Sequence, residues 1–326
     1  MNKPKILQPR RWPDAAEHAL NEAFDVTVDP QDRPLNAEQM IAAMQSHDAV
    51  AVTVTDKLDA EIIAAGAGGT CQMIANFGVG VNHIDLAAAT AAGIPVGHTP
   101  GVLVDSTADL AVGLMIAATR RIAEADRWIR TGQWSQGWQS DLLLGTDLSQ
   151  ATVGIVGLGP IGEATVKRLR GFGATILGWN RTPKSLEGVE MVDLEDLFRR
   201  CDIVSLHTAL TPDTLQIASR KRLASMRSGA TLINTGRGAL VDEEALIEAL
   251  SSGRLRAGLD VFESEPLPAD HPLFSLDNAV LLPHVGSATF STRMAMVTRA
   301  LENLRAGMSG QPLPFCANPE VCGFNG

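Results

Sequence analysis

ATVGIVGLGPIGEATVKRLRGFGATILGWNRT, residues Ala151 to Thr182, reads as a strand, a glycine turn, a helix and a second strand. Thr152 to Val156 is short, apolar and β-branched, the composition of a strand covered on both faces of a parallel sheet. Three glycines follow. Gly157 permits the tight turn, Gly159 lets backbone N–H groups approach a pyrophosphate, and Gly162 lets the helix from Ile161 to Gly171, introduced by Pro160, pack close to the strand. The N-terminus of that helix turns its partial positive charge toward the phosphates. A second strand, Ala174 to Trp179, arrives at the spacing of a βαβ unit, which distinguishes a dinucleotide site from a chance glycine turn.

The end of the second strand carries the choice of cofactor. An Asp or Glu there accepts hydrogen bonds from the adenosine ribose in NAD sites, whereas an Arg accommodates a 2′-phosphate. Here the sequence is Trp179-Asn180-Arg181-Thr182, with no acid between Thr175 and Ser185. No carboxylate repels a phosphate dianion, and Arg181 offers a fork of donors. The reading is NADPH ahead of NADH; the plain alternative for Arg181 is a solvated loop residue.

Composition sets the frame. A chain of 326 residues is longer than one core usually supports, and its 45% hydrophobic content suffices for two. A net charge of −10 argues against nucleic acid or an anionic membrane as partner. Cys71, Cys201, Cys316 and Cys322 show no metal-ligand spacing; the first two read as small core residues, and a disulfide between the last two is conceivable without sequence support. The expected compartment is a reducing cytoplasm. The N-terminal stretch MNKPKILQPRRWPD lacks a signal-peptide apolar region, and Leu110 to Thr119 is too short to span a bilayer.

Up to residue 99 short apolar strands (Lys5–Gln8, Val26–Val28, Ala49–Thr53, Met73–Asn76, Pro95–His98) alternate with amphipathic helical segments, the pattern of an open α/β domain. One long helix is expected from Ser106 to Arg130, N-capped by Ser106 or Asp105, followed by a Trp-rich loop, Gly132 to Gly145. From Thr152 onward six parallel strands can be counted, a doubly wound nucleotide domain. A last helix, Ser287 to Gly307, follows that sheet.

Three residues lie just past strand ends, the edge at which doubly wound sheets bind ligands. Arg237 follows Thr231–Asn234, Glu265 follows Gly258–Val261, and His284 follows Ala279–Leu282. An Arg fork suits a carboxylate and a carbonyl oxygen, a His delivers a proton near neutral pH, and a carboxylate beside the His orients it and favours its protonated form. The trio fits reduction of a 2-oxo acid. His18 and His47 read as surface residues, His207 lies toward the adenine side, and His271 sits in a Pro-rich loop.

With these residues in place, the sequence resembles the D-isomer-specific 2-hydroxyacid dehydrogenases, most of all the glyoxylate and hydroxypyruvate reductases, over nearly its whole length. The motifs are Asn76-Phe-Gly-Val-Gly-Val-Asn-His-Ile-Asp85, the glycine turn, Asn234-Thr-Gly-Arg-Gly238, Gly258-Leu-Asp-Val-Phe-Glu-Ser-Glu-Pro266 and Pro283-His-Val-Gly-Ser-Ala-Thr289. The resemblance implies Arg237, Glu265 (the Glu directly before Pro) and His284 as catalytic residues, and the Val79 and Gly80 amides, with Arg237, as the substrate site. It implies a cofactor set of Thr107, Gly157, Gly159, Pro160, Ile161, Gly162, Asn180, Arg181, Thr182, His207, Thr235, Asp260, His284 and Gly286, with Asp260 near the nicotinamide amide. Two departures touch neither proton nor hydride path: His207-Thr-Ala-Leu-Thr211, where relatives often have Pro in third place, and Asn82, where they often have Asp.

The expectation is therefore two open doubly wound α/β domains. A Rossmann-type nucleotide-binding domain covers residues 100–286, and a flavodoxin-like substrate domain covers 1–99 with 287–326. The activity implied is NADPH-preferring reduction of glyoxylate or hydroxypyruvate in a homodimer, with no metal, nucleic acid or membrane. Alternatives within the class are 2-ketogluconate reductase and phosphoglycerate dehydrogenase, the latter disfavoured by Asn180-Arg181. Outside it stands a non-catalytic nucleotide-sensing protein, which would not need Arg237, Glu265 and His284 together.

Overall fold

The computed structural model describes residues 3–322. The chain forms two compact units, one built from residues up to Leu103 and from Ala288 on, the other from Val104 to Ser287.

In the first unit β1 (Lys5–Gln8), β2 (Asp25–Val28), β3 (Ala49–Val52), β4 (Met73–Asn76) and β5 (Val96–Gly97) form a parallel sheet of order 2-1-3-4-5, the flavodoxin-like winding. Helices α1 (Asp14–Ala23), α2 (Ala37–Ser46), α3 (Ala60–Gly66) and α4 (Leu86–Ala91) make the crossovers. Alternation along the strands divides the core in two. Ile6, Ala49, Ala51, Met73 and Ala75 face one layer with Leu20 and Leu304, while Leu7, Val50, Val52 and Ile74 face another with Met40 and Ile63.

The second unit opens with α5 (Val104–Thr119) and α6 (Ile122–Arg130), then β6 (Thr152–Val156), α7 (Pro160–Phe172), β7 (Thr175–Trp179), β8 (Glu190–Met191), α8 (Leu194–Arg200), β9 (Ile203–Leu206), α9 (Arg220–Ser225), β10 (Thr231–Asn234), α10 (Glu243–Ser251), β11 (Arg256–Leu259) and β12 (Ala279–Leu281). The strand order is 12-11-10-9-6-7-8, the doubly wound Rossmann arrangement with a switch point between β6 and β9. The first unit regains the chain in α11 (Phe290–Met308), N-capped by Thr289 and packed on β4 and α1.

Two expectations are corrected. The sheet has seven strands instead of six, because β8 is a two-residue edge strand paired with β7, too short and too polar to show a period. The single helix from Ser106 to Arg130 is two helices, beginning at Val104, so neither Asp105 nor Ser106 caps it. The break falls at Arg121, in the left-handed region at φ 54°. Its cause is the returning loop: Thr146 N–H donates to the Thr119 carbonyl at 3.1 Å, where the next helical turn would bind, and a side chain at Gly145 would meet that oxygen. The pairing that the sequence left open is a disulfide between Cys316 and Cys322, while Cys71 and Cys201 are free thiols that burial pushes up to about 11 and about 12.

Candidate active site

The glycine turn is shaped by close approach. At Gly157, φ 99°, a Cβ would lie 2.8 Å from Thr208 Cγ2, and at Gly162 only 2.0 Å from the Gly157 carbonyl oxygen. At Gly159, directly before α7, a Cβ would meet nothing, which leaves room for a ligand over the helix N-terminus. Around the turn, buried atoms are left without protein partners: His207 Nδ1, Thr208 Oγ1 and Thr235 Oγ1. Buried polar atoms are rarely left so, and these lie at the ends of β9 and β10, where a Rossmann sheet holds a dinucleotide. The residues fit the cofactor. Burial lowers His207 to about 4, so it is neutral, and its Nε2 bonds Ser205 Oγ at 2.9 Å.

Asn180 sits at the end of β7 with both ends of its amide engaged inside the protein. Oδ1 accepts from Leu158 N–H at 3.0 Å and Nδ2 donates to the Thr182 carbonyl at 2.8 Å, fastening the loop to the glycine turn. Arg181 is exposed and faces Asp213 at 3.7 Å. Lys184, a cation the sequence reading passed over, donates to the Leu158 carbonyl at 2.9 Å and pairs with Glu163. Only the fold reveals it, since it lies in irregular chain beyond Arg181.

Farther along the same edge, Glu265 and His284 come together. Nδ1 of His284 lies 2.7 Å from Glu265 Oε2, while Oε1 accepts from Phe262 N–H at 3.0 Å. Burial opposes ionisation of Glu265, yet the hydrogen bond and charge of His284, the Phe262 amide and the charge of Arg237 together hold its carboxyl below the usual range. An ionised carboxylate only accepts, so Nδ1 carries the hydrogen and Nε2 is the nitrogen left for chemistry. Arg237 is half-buried in the turn after β10; Asn234 clasps that turn, donating to the Arg237 carbonyl at 2.8 Å and accepting from Gly236 N–H at 3.0 Å. Burial lowers the Arg237 guanidinium and the Glu265 charge supports it.

His284 stands in the left-handed region at φ 56°, a strained place for a residue with a Cβ. Asp260 holds it there. Its carboxylate accepts from Val285 N–H at 2.7 Å and Gly286 N–H at 2.8 Å, and its carbonyl accepts from His284 N–H at 2.9 Å. Thr107 Oγ1 donates to the Gly286 carbonyl at 3.3 Å. A second histidine–acid pair escaped the sequence reading: His271 Nε2 lies 3.2 Å from Glu243, whose other oxygen accepts from Glu263 N–H at 3.3 Å. That pair anchors the loop leading to Glu265.

Val79 and Gly80 lie on the first unit, past the end of β4 and half-buried. Neither amide N–H, nor that of Val81, donates to a protein acceptor among the described residues.

A Rossmann sheet with its glycine turn, and an Arg, a His and a carboxylate farther along the same edge, define a nicotinamide-dependent oxidoreductase. The model of the D-isomer-specific 2-hydroxyacid dehydrogenase NAD-binding domain matches residues 112–286. The glyoxylate reductase of Thermofilum pendens is 43% identical over 98% of this chain and 96% of its own, and that of Thermococcus litoralis is 41% identical over 98% of each. Among solved structures, the TT0316 protein of Thermus thermophilus superposes with a TM-score of 0.88 at 43% identity, covering 96% of this chain and 99% of its own. The NADPH-dependent glyoxylate/hydroxypyruvate reductase of Sinorhizobium meliloti, in complex with NADP and malonate, gives 0.86 at 34% identity over 98% of each chain. The chain belongs to the D-isomer-specific 2-hydroxyacid dehydrogenases, enzymes that work with a nicotinamide cofactor.

Proposed function

We propose that this protein is an NADPH-preferring reductase of small 2-oxo acids, glyoxylate and hydroxypyruvate, yielding glycolate and D-glycerate. The observation that carries the reading is the Glu265–His284 pair, 2.7 Å apart, on the strand edge that also bears Arg237. A bound reduced nicotinamide supplies the hydride. His284 gives its Nε2 proton to the carbonyl oxygen as that oxygen gains charge, Glu265 favours the imidazolium that reduction requires, and Arg237 offers its fork to the oxo acid. The Val79 and Gly80 amides take the substrate carboxylate. The glyoxylate reductases among the relatives support this substrate class, and the neighbour solved with malonate supports a carboxylate site.

The preference for NADPH rests on the absence of an acid after β7 and on two cations there, Arg181 and Lys184. A homodimer is supported by α6, which has no buried residue, and by the loop after it. Ile122, Ile129, Trp134 and Leu144 are exposed and Trp138 is 84% exposed, and a second copy of the chain is the partner such an apolar surface fits. Among the described residues no helix is long and apolar enough to cross a membrane. The free thiols Cys71 and Cys201 suit a reducing cytoplasm.

The test is a panel: oxidation of NADPH and of NADH with glyoxylate, hydroxypyruvate, pyruvate and 2-ketogluconate. The reading predicts the highest kcat/KM for NADPH with glyoxylate or hydroxypyruvate. A preference for 2-ketogluconate would move the enzyme elsewhere in its family, and silence on all four would end the proposal. Sedimentation equilibrium tests the dimer.

A further inference from the structure

The geometry points to Asn76 and His98 as positioning residues that fix the Val79–Gly80 loop through its carbonyl groups and so set the direction of its unpaired amides. The inference rests on the reading that this loop binds the substrate carboxylate.

In a trans peptide the carbonyl of one residue and the N–H of the next point in opposite directions, so pulling the carbonyl one way presents the N–H the other way. Three consecutive carbonyls in this loop are held by the protein. The Gly78 carbonyl accepts from Asn76 Nδ2 at 3.1 Å and from Thr99 N–H at 2.9 Å. The Gly80 carbonyl accepts from the same Asn76 Nδ2 at 3.1 Å, and the Val79 carbonyl pairs with His98 Nδ1 at 3.2 Å. Their partner N–H groups are those of Val79, Gly80 and Val81, the three amides with no protein acceptor among the described residues. Unpaired backbone N–H groups carry partial positive charge that an anion can accept as hydrogen bonds.

Both side chains are themselves fixed. Asn76 is buried, and its Oδ1 lies 3.1 Å from His83 Nε2, which leaves the amide nitrogen facing the two carbonyls. His98 is held on its backbone, with its N–H on the Phe315 carbonyl at 3.0 Å and its carbonyl accepting from Asn303 Nδ2 at 3.0 Å. A carbonyl only accepts, so His98 Nδ1 carries a hydrogen. Burial, opposed by the bond to Val79 and aided by the charge of Arg299, lowers His98 and favours the neutral ring.

The test uses oxamate, a carboxylate with a carbonyl that is not reduced, titrated calorimetrically into NADPH-loaded protein, alongside glyoxylate kinetics. Asn Nδ2 sits where His Nδ1 sits, so His98→Asn keeps the donor and His98→Leu removes it. His98→Leu is expected to weaken oxamate, and to raise KM for glyoxylate, by about five- to tenfold, one lost hydrogen bond, with kcat and NADPH affinity unchanged. His98→Asn is expected to match wild type in all of these. Asn76→Leu, which loses two donors at once, should weaken oxamate further. Oxamate binding equal to wild type in His98→Leu, or equally weak binding in His98→Asn and His98→Leu, overturns the inference even if Asn76→Leu fails to fold. A wild type that reduces 2-oxo acids but whose oxamate binding ignores these substitutions overturns the positioning role alone. A wild type that binds no oxamate overturns the carboxylate role of the loop as well.

Discussion

On the proposed reading, the chemistry at the edge of the Rossmann sheet rests on side chains, Arg237, Glu265 and His284, each carried there by the loop after its own strand. At the edge of the flavodoxin-like sheet the chemistry rests on the backbone: the candidate ligands are amides of Val79 and Gly80, and the side chains nearby, Asn76 and His98, bond to that backbone instead. The first arrangement can move a proton, because it contains titratable groups in contact. The second cannot; it offers fixed partial charges that need no counter-ion and no ionisation state, which suits a group such as a carboxylate that stays the same throughout the reaction. In that proposal one edge reacts and the other only holds. Substitutions at the first should therefore appear in kcat and in pH dependence, and those at the second in KM.

The largest effect that could break this division is His284→Ala. It should lower kcat by about 10²- to 10⁴-fold, the usual worth of a general acid, with NADPH affinity retained in a fluorescence titration. Loss of NADPH binding with little change in kcat would leave His284 in the cofactor set alone and remove it from proton transfer. Next comes Arg237→Lys, which keeps the charge but loses the planar fork: kcat/KM for glyoxylate should fall roughly 10- to 100-fold, the worth of a charge-assisted hydrogen bond with its geometry. The smallest effect lies on neither edge's reactive part. Arg181→Ala should reduce kcat/KM with NADPH by only about two- to fivefold and leave NADH unaffected, because an exposed ion pair contributes under about 1 kcal/mol. An equal loss with both cofactors would remove Arg181 from the 2′-phosphate.

How far the sequence foretold these edges follows from what each is made of. A strand period shows where the sheet edge falls and which letters follow it; the positions of Arg237, Glu265 and His284 in the loops after β10, β11 and β12 were legible that way. So was the glycine turn, since no other residue tolerates the approach at Gly162. Backbone sites have no letter. Val79 and Gly80 came only from resemblance, and Asn76 and His98 were invisible as a pair because β4 and the chain beyond β5 bring together residues that pattern reading treats separately. Asp260 is an intermediate case: its position was legible, but not that both carboxylate oxygens would clamp the turn that strains His284. The break at Arg121 was hidden for a tertiary reason, a distant loop amide taking the Thr119 carbonyl while the local sequence remains helix-forming. Lys184 and the His271–Glu243 pair lay in irregular chain, where spacing carries no geometry.

The central claim is that a protonated His284, favoured by ionised Glu265, delivers the proton to the oxo acid. It is tested most directly by the pH dependence of kcat/KM for glyoxylate reduction in wild type and in Glu265→Gln. Removing the carboxylate removes the counter-charge of the imidazolium, the form that reduction uses, so the alkaline limb should move to lower pH. An alkaline limb at the same pH in both proteins would contradict the account and send the proton to another donor.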